Sequence, residues 1–312
     1  MKIGVDILGG DFAPEATVEG SILASQQLGN KVSLVLFGDK NRIIDICTRK
    51  NIDPSVFDIV HTSTMIGMDE YPAKAFTQKS QASIPLGFSY LKAGRIDGFA
   101  SAGNTGAMMV GAMQVVKSIP GVIRPCITVS LPNSKGTPTI LLDVGINPDC
   151  KPDVLYQYAI IGSLYSELVY GVKNPRVALF NIGKEEEKGN LLTKATYQAM
   201  KGTTDFNFVG NVEGNDLFSE EIDVIVCDGF VGNSLLKTAE AFYMLLQKRK
   251  IKDDFIDKFN YENYGGTPVL GINAPAIIGH GISGPGAIKN MIIHTVDVVE
   301  ANLTESIKQA FK

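Results

Sequence analysis

Glycine, asparagine and aspartate gather just after the chain's short apolar runs, where amides and side chains could hold an anion or steady an oxyanion. The first group is Asp6, Gly9, Gly10 and Asp11, followed by Pro14. A glycine pair after a strand lets backbone amides turn towards an anion, and proline suits a first helical turn. The same residues equally make a tight strand-to-helix turn, and the phosphate-loop pattern GxxxxGK[ST] is absent. The second group holds Gly103, Asn104 and Thr105. Asn104 or Thr105 could cap a helix. Small residues on both sides would also admit a ligand close to the backbone, and that reading is preferred.

Asp143 stands just past a buried-looking run, with Gly145 and Asn147 behind it. It either serves a ligand or orders its own loop by accepting amide hydrogen bonds. Between Asn181 and Asn190, Lys184 and Lys188 lie beside three glutamates. Such a run usually marks a solvated face. Lys188, however, precedes Gly189 and a helix start, where an ammonium could meet phosphate; Lys184 is the weaker candidate. Asp228 and Asn233 again follow a strand, with Asn233 as an N-cap or as an oxyanion donor. Gly265, Gly266 and His280 frame the last short strands, and His280, between two glycines, is poorly suited to filling a core. His61 and His294 are read as structural. No GxSxG elbow, HExxH zinc motif or GxGxxG after the first strand is present, and no cysteine has a histidine beside it. The chemistry this suggests is direct attack of one bound substrate on another, without a covalent enzyme intermediate.

Positioning these groups requires alternating elements. Strand-like runs at 2–6, 31–37, 56–61, 98–101, 138–143, 176–181, 206–210 and 223–228 alternate with helical patterns. The helices are expected at 14–28, 42–50, 84–93, 105–117, 152–170, 191–201, 233–248 and 285–310, and two further short strands at 268–271 and 276–279. That alternation predicts a three-layer α/β/α sandwich with a mainly parallel sheet. A single domain over 1–312, two-lobed with a central cleft, is expected. In such sheets ligands bind beyond the carboxyl ends of the strands, and the groups after 2–6, 98–101, 138–143, 176–181 and 223–228 fall there.

With 45% hydrophobic residues in 312, a sizeable core is available, and a net charge of −4 supplies no global field for nucleic acid. Cys47, Cys126, Cys150 and Cys227 form no CxxC pair and read as buried free thiols. No metal site and no tightly bound cofactor are expected. The first residues run directly into a strand without a basic-then-apolar leader, so no signal peptide is expected. No apolar run approaches the roughly 20 residues that span a bilayer. A cytoplasmic location is expected, with loose membrane association left open.

Eight stretches, in order and at matching spacing, resemble the PlsX family of phosphate acyltransferases. They are Val5-Asp-Ile-Leu-Gly-Gly-Asp11, Ser101-Ala-Gly-Asn-Thr-Gly-Ala107, Leu141-Leu-Asp-Val-Gly145 with Asn147, and Tyr156-Gln-Tyr-Ala159. Gly183 to Asn190, Phe208-Val-Gly-Asn-Val-Glu213, Asp228-Gly-Phe-Val-Gly-Asn233 and Asn263-Tyr-Gly-Gly266 follow. Each is weak alone; together they cover essentially the whole chain. The resemblance implies a fold like that of isocitrate and isopropylmalate dehydrogenases and of phosphotransacetylases, usually as a homodimer. It implies a reversible reaction in which acyl-[acyl-carrier protein] and inorganic phosphate give acyl-phosphate and free carrier. The product then feeds the membrane enzyme that acylates glycerol 3-phosphate, in bacterial phospholipid synthesis.

For that chemistry Lys188 is assigned to phosphate or developing charge, Asn233 to the oxyanion, and His280 to a hydrogen bond with phosphate. Asp11, Asp143 and Asp228 would orient donors or move a proton. Gly9, Gly10, Gly103, Asn104, Gly265 and Gly266 would bring backbone close to the substrates, with Asp6, Thr105 and Asn147 in the same binding group. Lys248, Arg249, Lys250 and Lys252 form the densest basic cluster. They read either as a docking patch for the acidic carrier protein or as a helix end favoured by its dipole. Two departures from the family pattern stand out. Phe12 occupies the place where many relatives have histidine, so that histidine is not essential here. The run from Lys252 to Tyr264 is too short for the long amphipathic hairpin that touches the membrane in some relatives. Rival readings are an acyl-CoA phosphotransacetylase, a hydroxyacid dehydrogenase of related fold, and a non-catalytic fatty-acid or carrier binder.

Overall fold

The computed structural model describes residues 1–133 and 136–312. Strands follow in chain order as β1 (Lys2–Asp6), β2 (Ser33–Gly38), β3 (Asp58–His61), β4 (Gly98–Ser101), β5 (Cys126–Leu131) and β6 (Thr139–Leu142). Then come β7 (Arg176–Phe180), β8 (Asn207–Val212), β9 (Val224–Val226), β10 (Thr267–Leu270) and β11 (Ala276–Ile278). The α-helices are α1 (Glu15–Leu28), α2 (Lys40–Arg49), α3 (Pro72–Gln78), α4 (Ser83–Lys92) and α5 (Thr105–Val110). They continue as α6 (Pro152–Tyr170), α7 (Leu191–Met200), α8 (Gly229–Lys248), α9 (Pro285–Glu300) and α10 (Leu303–Ala310). The result is the expected α/β architecture, a mainly parallel sheet arrangement with helices on both sides.

The chain separates into two compact units. The first, Met1–Ser118 with Tyr261–Glu300, carries strands in the order β3-β2-β1-β4-β11-β10. The first five run parallel, and β10 is antiparallel to β11. β1 is buried over Ile3–Asp6, so its side chains meet helices on both faces, as an apolar run in a parallel sheet requires. Phe37, Phe88 and Phe99 pack edge to face at its centre. α1 lies close against α9 because Gly20 offers no side chain to Ile288; a Cβ there would come within 2.5 Å of the Ile288 Cβ.

The second unit, Ile119–Asn260 with Ala301–Lys312, has the order β5-β6-β9-β7-β8. β6, β9, β7 and β8 are parallel, and β5 is antiparallel to β6. Its core includes Leu141, Val144, Ala178, Val212, Leu217 and Ile225.

Several boundaries differ from the sequence reading. β5 was not foreseen, although Cys126-Ile-Thr-Val-Ser-Leu131 is β-branched and alternating; it pairs with β6 through Thr128–Leu131. α3 was also missed. The expected helix 105–117 is α5 followed by a π-type segment, Gly111–Val116. The expected helix 285–310 breaks into α9 and α10 where Asn302 turns left-handed at φ 51°. Residues 29–31 form a 3₁₀ turn, so β2 starts later than expected. The segment after α8 contains two 3₁₀ turns, Ile256–Phe259 and Tyr261–Asn263, in place of a helical hairpin.

Candidate active site

Because β6, β9, β7 and β8 are parallel, the loops that follow them leave one edge of one sheet. Asp143 sits at the end of β6 and is fully buried. Its Oδ1 accepts from the amides of Ile127 at 3.2 Å and Gly145 at 3.3 Å. Its Oδ2 accepts from the Asn147 amide at 2.7 Å, the Asn147 Nδ2 at 3.0 Å and the Ile146 amide at 3.2 Å. Asn147 Nδ2 also donates to Pro125 O. Asp143 and Asn147 are therefore committed to shaping their own loop. Of the two roles read for Asp143, the loop-ordering one is what this geometry performs.

That loop carries the start of α8. The Gly229 amide donates to Asn147 O at 2.8 Å. Gly232 packs so tightly that a Cβ would lie 1.9 Å from Asp143 O. Asp228 is the N-cap of α8, its Oδ1 accepting from the Val231 amide at 2.9 Å. Asn233 is thus not the cap. It lies in the second turn, exposed, with its amide group over Gly145.

The loop after β7 presents the lysines. Asn181, buried at the end of β7, donates through Nδ2 to Lys188 O at 3.2 Å and accepts at Oδ1 from the Ile182 amide at 2.9 Å. Asn211 on the neighbouring β8 donates to Glu185 O at 3.0 Å, and its buried Oδ1 has no hydrogen-bond partner among the described residues. Asn190 caps α7 by accepting from the Thr193 amide. Lys184 pairs with Asp216 at 2.9 Å, which holds that carboxyl below the usual range; Lys201 pairs with Glu186 at 2.8 Å. Lys188 is exposed and makes no ion pair among the described residues. Sequence reasoning missed the clamping roles of Asn181 and Asn211. The signal available was an asparagine at the carboxyl end of an otherwise apolar strand.

The other unit gathers the remaining candidates on the carboxyl edge of its own sheet. Asp6, buried at the end of β1, accepts from Ser101 Oγ at 2.7 Å and from the Leu8 amide at 3.0 Å; burial pushes its carboxyl up. Ser101 Oγ in turn accepts from the Gly103 amide at 2.9 Å. Gly9 fits because it has no Cβ, which would sit 2.4 Å from Asp6 Oδ2 and 2.6 Å from the Gly103 nitrogen. Gly265 packs on the backbone of Asn290, and Gly266 on Ile278 O. Gly9, Gly265 and Gly266 thus each allow a close approach of neighbouring chain; for Gly9 this is the tight turn that was one of its two readings. Asn104 is the N-cap of α5, accepting from the Ala107 amide, while its Nδ2 donates to Gly67 O at 2.9 Å. Both ends of that amide are engaged within the protein, as the cap reading expects; Thr105 beside it is exposed.

Gly10, with φ 107°, turns the chain so that the Asp11 amide donates to Gly281 O at 2.8 Å. Asp11 and His280 are exposed. His61 accepts from the Lys40 amide, and burial takes His294 down to about 4; both act structurally, as read.

The basic run is not brought to the Lys188 and Asn233 edge. Lys248 is in the last turn of α8 and Arg249 is its C-cap, with Lys250 and Lys252 just beyond. About 22 Å of helix separates Lys248 from Asn233. Cys47, Cys126 and Cys227 are buried free thiols, and Cys150 is half-buried with its thiol pushed up to about 12 by burial. Among the described residues no cluster could hold a metal ion, and no helix is long and apolar enough to cross a membrane.

Solved structures define the class. A phosphotransacetylase from Streptococcus pyogenes matches 96% of this chain and 94% of its own at a TM-score of 0.66 and 15% identity. The EutD phosphotransacetylase from Staphylococcus aureus does so over 96% and 94%, at 0.63 and 17%. At such identities the likeness is one of fold, that of the phosphotransacetylases. Sequence relatives are far nearer. The family model described as "Fatty acid synthesis protein" matches residues 1–306. Proteins described as phosphate acyltransferase match from Dictyoglomus turgidum (40% identity, 98% of this chain, 96% of the relative) and Aquifex aeolicus (42%, 94%, 91%). One from Desulforamulus reducens is 40% identical over 100% of this chain and 98% of its own. The chain belongs to this PlsX family of phosphate acyltransferases and is an acyltransferase of lipid synthesis. The D. reducens protein aligns over 334 residues against all 312 here, so it carries residues that this chain lacks.

Proposed function

We propose that the enzyme moves a fatty acyl group from acyl-carrier protein to inorganic phosphate, as a homodimer whose product is consumed by the acylation of glycerol 3-phosphate in phospholipid synthesis. A phosphate oxygen attacks the thioester carbonyl and forms the C–O bond. The tetrahedral oxyanion collapses, the C–S bond breaks, and the thiolate takes up the proton given up by phosphate. Phosphate is itself the nucleophile, so no activated serine or cysteine is required. What the step needs is two held substrates and stabilised charge.

The observation that carries this reading, within the family assignment, is the contrast among the lysines beyond β7. Lys184 and Lys201 are tied to carboxylates, while Lys188 makes no ion pair among the described residues and sits on a loop held by two buried asparagines. Lys188 is assigned to phosphate, and the Asn233 amide, in the second turn of α8 after the adjacent β9, to the oxyanion. Asp143 and Asp228 position Asn233 without touching substrate.

The test is phosphate-dependent release of free carrier from palmitoyl-[acyl-carrier protein], with palmitoyl-CoA in parallel and hydroxylamine to trap acyl-phosphate. Carrier preference with trapped product supports the reading; CoA preference moves it to an acyl-CoA phosphotransacetylase. Asn233→Ala should lose about 10²–10³ in turnover, and Lys188→Ala should raise the phosphate KM. Folded variants within a few-fold of wild type would sink these two roles.

A further inference from the structure

In the loop after β7, Gly183 is buried although Ile182 and Lys184 on either side of it are exposed. The side chains beside it belong to Lys188 and Glu185. A Cβ on Gly183 would lie 2.7 Å from the Lys188 Cγ, 3.3 Å from the Lys188 Cβ and 3.0 Å from Glu185 Oε2. Unbonded carbons settle about 3.5–4.0 Å apart, so the lysine stem lies in the space that a side chain at 183 would need. Gly183 is not among the residues with positive φ, so the turn itself does not demand glycine; the space does. The backbone of Lys188 is fixed as well. Its amide donates to Glu185 O at 3.2 Å, and its carbonyl accepts from Asn181 Nδ2 at 3.2 Å. The next residue, Gly189, turns left-handed at φ 98°, and a Cβ there would collide with Thr193 Oγ1 and Asn181.

We propose that Gly183 is a positioning residue for the reaction: by offering no side chain it seats the Lys188 stem and so aims the ammonium at phosphate. The proposal rests on the assignment of Lys188 to phosphate and adds to it the residue that sets the lysine's direction. Lys184 and Lys201 are steered from their far ends, each by a carboxylate that takes the ammonium. Lys188 is steered from the near end, through its backbone and the first two carbons of its stem. That arrangement holds the side chain in place while committing its charge to no carboxylate among the described residues, which is what a phosphate ligand requires.

The test is Gly183→Ala in the full-length enzyme, alone and combined with Lys188→Ala or Glu185→Ala, read by steady-state kinetics and urea unfolding. The added methyl pushes the Lys188 stem aside by about 1 Å, and the ammonium, farther out, moves by more. The phosphate KM should rise about five-fold or more while the thioester KM stays within about two-fold, a split that general loosening of the loop would not give. In the Lys188→Ala background, Gly183→Ala should change the phosphate KM by less than about two-fold, because no Cγ remains to collide; in the Glu185→Ala background its effect should persist. A folded Gly183→Ala enzyme with wild-type phosphate KM overturns the proposal. So does an effect of equal size with and without Lys188, or relief by Glu185→Ala instead. If Gly183→Ala lowers the urea midpoint or fails to fold, adding Lys188→Ala should bring the midpoint back to that of Lys188→Ala alone, and a double variant that stays unstable overturns the seat. If Lys188→Ala itself leaves the phosphate KM unchanged, or wild type turns over no thioester with phosphate, the reading of Lys188 fails; the seat is then judged on the urea midpoint alone, where recovery supports it and its absence overturns it.

Discussion

Asp143→Asn is the sharpest test of how the structure builds its reactive edge. The substitution is nearly isosteric, yet one carboxylate oxygen becomes an NH₂. If that group replaces Oδ1, it faces the amides of Ile127 and Gly145; if it replaces Oδ2, it faces the Asn147 amide, Asn147 Nδ2 and the Ile146 amide. Whichever way the new amide turns, at least two donors meet a donor. Each donor left unsatisfied in the interior costs about 1–3 kcal/mol, so a loss of about 2–6 kcal/mol is expected. Typical total stability is about 5–15 kcal/mol, so urea unfolding at neutral pH will read this easily. The second consequence is catalytic. Gly232 touches Asp143 O and Asn233 stands over Gly145, so a relaxed loop displaces Asn233. A displacement of about 1 Å costs about 10² in rate. Turnover of carrier and CoA thioesters should fall together through kcat, with phosphate KM little changed, because the Lys188 loop is held instead by Asn181, at Lys188 O, and Asn211, at Glu185 O. A stability loss under about 1 kcal/mol, with turnover within a few-fold of wild type, would refute the argument that Asp143 organises this edge.

Three further outcomes follow from the geometry. Gly9→Ala drives a Cβ into Asp6 Oδ2 and the Gly103 backbone, and should cost about 1–3 kcal/mol by thermal or urea unfolding. Lys184→Ala removes a pair whose lysine is 59% exposed; it should leave the urea-unfolding midpoint close to wild type and turnover within a few-fold, in contrast to Lys188→Ala. His294 takes up its proton near pH 4 when folded and near 6.5 when unfolded, so between those values the unfolded chain binds more protons. Its contribution is complete above pH 6.5 and is lost as pH falls towards 4, by on the order of 3 kcal/mol. His294→Phe should flatten that limb of the urea-unfolding profile, and an unchanged slope would show that other groups set it.

Local patterns determined the class of this protein. Apolar runs of strand length alternating with helical periodicity require a mainly parallel sheet, and glycine, asparagine and aspartate after those runs mark the carboxyl edges. Asp143, Lys188, Asp228 and Asn233 were legible for that reason: residue type and position after a strand are local facts. That Lys184 is tied to Asp216 was not legible, because the two lie 32 residues apart.

What each residue does was decided only by the tertiary structure, because hydrogen-bond partners and close approaches join residues far apart in the chain. Asn104 was legible as a helix cap or a ligand contact, but that its amide also reaches Gly67 O, 37 residues away, was not. Gly265 is required by the backbone of Asn290, and Gly9 by Gly103, neither of which its own neighbours reveal. β5 is the exception: it pairs with the next strand, Leu131 opposite Thr139, and its β-branched alternation was a local signal that went unread. Phe218 and Phe259, 41 residues apart, are brought edge to face only by the folded chain.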